Sequence, residues 1–438
     1  MAILTKEEAR KIIDKVLAFS KADEISASLT GVRTGNIRYA RNSVSTSGET
    51  TDLALSVTAV YGKKSGTATI NEFDDASLEK TVRRAEEIAK LAPENPEYMP
   101  MLGPQQYLET KAFADSTAGI DAEYRAKAAF GSIDPCVKKN LTAAGYMEDN
   151  SGFSALGNSK GLFAYNKSTS VDFSVTVRTA DGTGSGYAAR DYNDVSKLNT
   201  ATATEIAMQK ALASVNAKAL EPGKYTVILE PTAAHDLVLN MMRSMDGRNA
   251  DEGRSFLSKK GGETRLGEKL LDERVTIHSD PTHPEVPGSP FASDGRPQEK
   301  VTWFEKGVVK NMYYSRFWAD KKGLKAIPSP GGIIFEGGNE SLADLIKGTD
   351  KGILVTRFWY IRSVDPQTLL FTGLTRDGTF YIENGQIKYP VKNFRFNESP
   401  VIMLNNVEAI GKPVRTNGSL IPPLKIRDFT FTSLSDAV

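Results

Sequence analysis

The sequence contains a single cysteine, Cys136, in a chain of 438 residues. One cysteine cannot form an internal disulfide, and it cannot supply the paired thiols of a CxxC zinc site. No histidine lies near Cys136 in sequence, although a reactive thiol beside Pro135 stays open as an alternative. We predict that Cys136 is a small buried residue.

The sequence also lacks an excess of charge of either sign and lacks long apolar runs. It has 55 Lys and Arg residues against 54 Asp and Glu residues, a formal net charge of +1. Such a balance gives no global field that would attract nucleic acid or an anionic membrane. No apolar run approaches the roughly 18 residues of a membrane span, and the first residues, MAILTKEEARK, lack the apolar core of a signal peptide. We therefore expect a cytoplasmic protein without a nucleic-acid or membrane partner.

The first half shows the pattern of an antiparallel sheet with helices. Thr5-Lys6-Glu7-Glu8 is a capping box, and apolar residues then recur at helical spacing. Short strand-like runs follow, joined by short connections that favour antiparallel pairing. The predicted strands of this region are Glu24–Leu29, Asn36–Ser45, Leu53–Ala59 and Thr67–Asn71. The glycines and threonines of Thr179–Tyr192 predict a mobile surface loop.

The second half is predicted to be mostly β-structure. Thr379–Val391 has the pattern of a hairpin, because Asn384-Gly385 favours a type I′ turn. Ile402–Ile410 and Leu424–Phe431 are predicted to be closing strands. The fold class is therefore α+β, with an N-terminal domain over 1–221 and a β-rich, barrel- or sandwich-like C-terminal domain over 222–438.

The stretch Gly223–Gly247 joins a predicted strand to a predicted helix. Tyr225–Leu229 alternates as a strand does, and Pro231 suits the first turn of a helix. The helix carries His235 and Asp236 side by side, a pair that could bind a metal ion. The alternative is structural, since Asp236 in the first turn favours the positive end of the helix dipole.

A second cluster of candidate ligands follows later in the chain. His278, Asp280 and His283 form an HxDxxH pattern on a predicted loop. These side chains could bind zinc or manganese, which accept imidazole and carboxylate ligands. The alternative is that they are only solvated loop residues.

The order of several short segments resembles the TldD/PmbA family, the peptidase-related proteins also called modulators of DNA gyrase. The segments that carry the resemblance are Ala54–Asn71 with Asp75–Ala92, Leu156–Leu162, Gly223–Pro231, Gly253–Leu257 (GRSFL), Gly262-Glu263, Asp280-Pro281, Tyr381–Gly385 and Pro390-Val391. The resemblance implies an α+β N-terminal domain, a β-rich C-terminal domain, and a dimer that encloses a peptide-sized chamber.

The resemblance also implies where a zinc site would lie. Catalytic members of the family hold zinc with an HExxxH helix and a late cysteine. With His235 as the first ligand, Asp236 replaces the glutamate and Asn240 the second histidine. In the register that we prefer, the three positions fall on Leu239, Asn240 and Ser244. The cysteine is expected near Ile410–Pro413, where this sequence has none, so the chain is similar to the PmbA/TldE side of the family.

Three hypotheses for function follow. In the first, the chain is a non-catalytic subunit, without zinc, of a TldD/TldE-type metalloprotease that processes or degrades peptides. It would then form a heterodimer with a TldD-like partner that holds the zinc, and a homodimer stays open as the alternative. The second is a divergent metallopeptidase that acts alone, through His235 and Asp236 or through the His278–His283 cluster. The third is a regulatory binding protein.

Overall fold

The computed structural model describes residues 3–435 and confirms the α+β class that the sequence predicts. About 24% of the residues are helical and 40% lie in strands. An antiparallel sheet with helices forms the N-terminal half, and a closed, barrel-like sheet forms the C-terminal half.

The N-terminal half is one sheet with helices packed on it. Within residues 3–435, this sheet has six strands in the order β3-β2-β1-β4-β5-β6, and every neighbouring pair is antiparallel. Its elements are α1 (Lys6–Phe19), β1 (Glu24–Ala40), β2 (Ser43–Tyr61), β3 (Lys64–Ile70), α2 (Asp75–Leu91), α3 (Asp115–Ala118), α4 (Ala122–Lys138), β4 (Leu141–Asn158), β5 (Phe163–Thr179), β6 (Ser185–Tyr192), a 3₁₀ turn (Val195–Lys197) and α5 (Thr200–Ala213). The capping box that begins α1 is present, since the Thr5 side chain accepts from the Glu8 amide and Glu8 accepts from the Thr5 amide.

Two predictions in this half were wrong. The runs Glu24–Leu29 and Asn36–Ser45 are not separate strands, because β1 is continuous and the turn to β2 falls at Arg41-Asn42, both in left-handed conformation. Thr179–Tyr192 is not a loop, because most of it is β6, which pairs with β5. Its glycines serve close packing instead: a Cβ on Gly186 would lie 2.1 Å from the Ala207 carbonyl oxygen of α5.

The C-terminal half is built around a sheet that closes on itself. The strands β12, β7, β19, β15 and β13 follow one another, and β13 pairs again with β12. The elements are β7 (Gly223–Leu229), α6 (Pro231–Arg243), α7 (Gly247–Asp251), β8 (Ile277–Ser279), β9 (Val301–Glu305), β10 (Val308–Val309), α8 (Arg316–Lys322), β11 (Ile334–Phe335), α9 (Leu342–Lys347), β12 (Lys351–Asp365), β13 (Leu370–Glu383), β14 (Gln386–Pro390), β15 (Phe394–Glu398), α10 (Pro400–Asn405), β16 (Val407–Ile410), β17 (Val414–Thr416), β18 (Ser419–Ile421) and β19 (Leu424–Leu434).

The hairpin predicted at Thr379–Val391 is confirmed as β13 and β14, with Asn384 and Gly385 both at positive φ. The strand predicted at Ile402–Ile410 was wrong for its first part, which is the helix α10. Ser399 caps this helix and Pro400 occupies its first turn, a local signal that outweighs the apolar residues.

The core of the C-terminal half holds α6 against the barrel. Leu237, Val238 and Met241 of α6 are fully buried together with Phe394 and Phe396 of the barrel. Each large buried apolar side chain stabilises the fold by roughly 1.5–3 kcal/mol. The position of α6 is therefore set by the apolar core.

Candidate functional site

The strand–helix unit of β7 and α6 begins as the sequence predicts. Pro231 occupies the first turn of α6, and the preceding residue, Glu230, makes no side-chain cap bond. The Glu230 carboxylate instead accepts hydrogen bonds from Nζ of Lys210 at 2.7 Å and from Oγ1 of Thr356 at 3.2 Å. These bonds tie the start of α6 to α5 and to the barrel.

His235 lies on the buried side of α6, with 3% of its surface exposed. Nδ1 of His235 is 3.5 Å from Oδ1 of Asp236, and neither ring nitrogen has a hydrogen-bond partner within residues 3–435. Asp236 is half-buried beside it. The two side chains are adjacent, but none of the other residues in the range 3–435 adds a third His, Cys, Asp or Glu ligand to them.

The three positions of the preferred register lie further along α6. Nδ2 of Asn240 donates to the Asp236 carbonyl at 2.7 Å, and Oγ of Ser244 donates to the Asn240 carbonyl at 2.9 Å. Leu239 offers no ligand atom. These side chains do not fit a zinc ion, which prefers thiolate, imidazole and carboxylate ligands, and their polar groups are already bonded within the helix.

The segment where the resemblance places a cysteine is tightly packed. The Gly411 amide donates to the Pro423 carbonyl, and the Lys412 amide donates to the Glu340 carbonyl. A Cβ on Gly411 would lie 2.7 Å from Cγ of Pro423. Cys136 does not substitute for the missing thiol, because it lies fully buried in α4 of the other half, where burial raises its pKa to about 11.

The cluster His278, Asp280 and His283 is partly in a strand, which corrects the prediction of a loop: His278 belongs to β8. Nδ1 of His278 lies 3.4 Å from the Glu336 carboxylate, and burial lowers the pKa of this imidazole. Asp280 accepts from the amide and the hydroxyl of Thr282, and Nδ1 of His283 accepts from the Glu285 amide. In the part of the chain that the structure describes, no group of three or more His, Cys, Asp and Glu residues could hold a metal ion.

Sequence reasoning missed a cavity of about 370 Å³ between the two halves. Asp191 of β6 and Arg415 of β17 meet at its wall, with 2.9 Å between Oδ2 and Nε. The backbone amides of Asn417 and Gly418 also donate to the Asp191 carboxylate, at 2.7 and 2.8 Å. Asp191 and Arg415 are 224 residues apart, so no local pattern pointed to this contact.

Asp172 of β5 lines the same cavity, and its carboxylate has no hydrogen-bond or ion-pair partner within residues 3–435. Its side chain is open to the solvent of the cavity, yet protein surrounds the carboxylate on most sides. Burial, together with the carboxylates of Asp191 and Glu148, raises the pKa of Asp172 to about 6. The cavity therefore contains a carboxyl group whose pKa lies above that of an ordinary aspartate.

The comparisons with known proteins cover almost the whole chain. Family models described as PmbA/TldA metallopeptidase domain 1, central domain and C-terminal domain match residues 26–89, 108–215 and 222–433. The chain is 24% identical to the metalloprotease PmbA of Escherichia coli O157:H7 over 464 aligned positions, which cover 97% of this chain and 98% of that protein. It is 22% identical to a metalloprotease PmbA homolog of Haemophilus influenzae, with 86% of each chain covered.

The fold matches that of a solved relative. TldE from Thermococcus kodakarensis superposes with a TM-score of 0.88 at 18% identity, over 97% of this chain and 99% of that chain. Within residues 3–435, none of the helices is long and apolar enough to cross a membrane. From the family models, which together match most of its length, the chain belongs to the PmbA/TldD family.

Proposed function

We propose that this chain is the subunit without zinc of a TldD/TldE-type metalloprotease, and that it pairs in the cytoplasm with a relative that carries the HExxxH helix. The observation that carries the proposal is the set of side chains that α6 presents. Where the ligands and the base would lie, it has Leu239, Asn240 and Ser244, with both polar side chains bonded inside the helix. The resemblance of the fold to TldE supports the same assignment.

The role of such a subunit is to enclose and hold the peptide while the partner performs the hydrolysis. The buried face of α6 and the closed barrel share one apolar core, which supports the role of a scaffold. Extended peptides are commonly recognised through main-chain hydrogen bonds to a strand edge, which accepts many sequences. A subunit of this kind contributes binding surface and leaves the hydrolysis to the partner's zinc-bound water.

The test is to purify the chain alone and together with a co-expressed relative that carries HExxxH. We expect the two chains to co-elute, zinc to accompany only the complex, and peptide cleavage to require the partner's HExxxH glutamate. His235→Leu in this chain should leave cleavage by the complex unchanged. Stoichiometric zinc in the isolated chain, or peptidase activity of the isolated chain that His235→Leu abolishes, would show instead a metallopeptidase that acts alone.

A further inference from the structure

The outer side of β2 is open over much of its length. On its inner side, β2 pairs with β1 from Ser43 to Val60, with a register shift near Arg38 of β1. On its outer side, β3 pairs only with the segment Leu55–Tyr61. No other strand of residues 3–435 pairs with Ser43–Ala54, which we call the open edge. At about 3.3 Å per residue, it extends for roughly 40 Å.

The direction of the free main-chain groups follows from the register. Tyr61 and Lys64 flank the two-residue turn between β2 and β3, so they exchange hydrogen bonds with each other. In an antiparallel pair, such residues alternate with residues that point away. Every second residue from Tyr61 back to Leu55 therefore directs its N–H and C=O groups toward β3. Continuing by twos into the open edge, the residues that direct these groups outward are Leu53, Thr51, Glu49 and Ser47.

The open edge is anchored to the rest of the N-terminal half at Glu49. The Glu49 carboxylate accepts from Nη2 of Arg125 at 2.9 Å, and Nη1 of Arg125 donates to Asp149 at 2.9 Å. Arg125 and Asp149 are almost fully buried, with 2% and 1% of their side-chain surfaces exposed. This network fixes β2 against α4, so the outward groups keep the geometry of a sheet.

The open edge lacks lysine and proline, which commonly keep another strand away, and the charge of Glu49 is already paired with Arg125. Exposed edges commonly carry lysine, proline or inward-pointing charges that prevent pairing. Residues 43–52 read SVSTSGETTD, without lysine or proline, and all of them are exposed. A Cβ on Gly48 would meet no atom within 4 Å, so the face toward which residue 48 points is uncovered there.

We propose that the open edge binds an extended peptide as an additional antiparallel strand, through the main-chain groups of Ser47, Glu49, Thr51 and Leu53. The proposal rests on the proposed function, in that it gives this subunit a part in holding the peptide. The occupant is a peptide and not a second copy of the chain, because stable dimer interfaces have an apolar centre. Within the open edge, Val44 is the single large hydrophobic residue that is exposed.

The first experiment measures binding to the isolated full-length chain. The probe is a labelled, acetylated ten-residue peptide of alternating threonine and valine with a lysine at each end. Thr51→Pro removes one outward N–H, and proline is tolerated on the open side of an edge strand. We expect this variant to bind at least about tenfold more weakly, since a hydrogen bond is lost and the ring blocks close approach. Thr51→Val keeps the N–H and should bind as the wild type does.

Amide hydrogen exchange provides a readout that does not depend on a variant folding. Adding the peptide should slow exchange at Ser47, Glu49, Thr51 and Leu53, whereas the alternate amides already donate to β1. The same peptide with N-methyl groups on alternate residues should have no effect. Equal binding by the wild type and Thr51→Pro, or protection that falls outside the open edge, would overturn the proposal.

A self-associated chain that Thr51→Pro dissociates would also overturn the proposal, because the edge would then join two copies. Co-elution with the HExxxH relative is measured separately. If the chain pairs with that relative but the open edge binds no peptide, this inference fails while the proposed function stands. If the edge binds peptide but no pairing occurs, the proposed function fails alone.

Discussion

Replacing His235 by leucine is expected to stabilise the protein. The imidazole is 3% exposed on the core side of α6, and neither nitrogen has a hydrogen-bond partner in the described part of the chain. Its neighbours along the helix, Ala234 and Val238, are fully buried and apolar. A side chain without polar atoms therefore suits this position better than histidine does.

The expected change in the free energy of unfolding is the balance of two opposing contributions. A buried polar group without a partner costs about 1–3 kcal/mol, and leucine removes this cost while filling a similar volume. Repacking around the new side chain costs up to about 1.5 kcal/mol. We expect His235→Leu to raise the free energy of unfolding by about 1 kcal/mol. His235→Ala should be less stable than His235→Leu by about 2 kcal/mol or more, because it leaves a cavity.

The measurement is urea unfolding of both variants and the wild type at pH 8, followed by tryptophan fluorescence. Trp303 is fully buried in the same core as α6 and reports on this half of the molecule. A loss of more than about 1 kcal/mol in His235→Leu would refute the reasoning. The ring would then have a partner, such as a bound water or a metal ion, and α6 would carry a polar function.

Three further outcomes are expected. Arg125→Met should lower the free energy of unfolding by about 3–5 kcal/mol, because it leaves Asp149 buried without its main partner, and Arg125→Met with Asp149→Leu should recover much of this loss in urea titrations. In the folded chain, the pKa of Asp172 is raised from 3.8 to about 6. Asp172 therefore favours the folded state most below pH 3.8, and this contribution is lost as the pH rises through about 6. Asp172→Asn should remove this slope from the free energy of unfolding measured between pH 4 and 7. Gly307→Ala should destabilise by at least about 2 kcal/mol in the same titrations, since φ is +76° and the new Cβ would lie 2.0 Å from the Leu271 carbonyl oxygen. An unchanged transition in Arg125→Met or in Gly307→Ala would contradict the contact on which it depends, and an unchanged pH slope in Asp172→Asn would contradict the raised pKa.

Sequence reasoning succeeded where the signal is local. The capping box at Thr5, the Asn384-Gly385 turn and the entry to α6 at Pro231 are each specified by a few consecutive residues. It failed where the structure depends on contacts between segments that are distant in the sequence. Gly186 suggested flexibility in the sequence, whereas in the structure its missing side chain lets β6 approach α5 closely.

The candidate site was predictable only in part, for the same reason. The positions on α6 could be counted from Pro231, because one helix carries them all. The cavity between the halves could not be found, because Asp172 and Asp191 lie on neighbouring strands and their counterpart Arg415 comes more than two hundred residues later. The length of β1 and β2, and with it the open edge, was hidden because the polar run of residues 43–52 lacks the alternation of a half-buried strand.

The residues that bury α6 are different from the residues at the positions where the resemblance would place the zinc ligands. Leu237, Val238 and Met241 bury the helix against the core, and this contribution does not depend on what stands at Leu239, Asn240 or Ser244. At the two polar positions, the side chains donate to carbonyl oxygens of their own helix. Among proteins of this fold, hydrolysis therefore depends on the atoms that these side chains present.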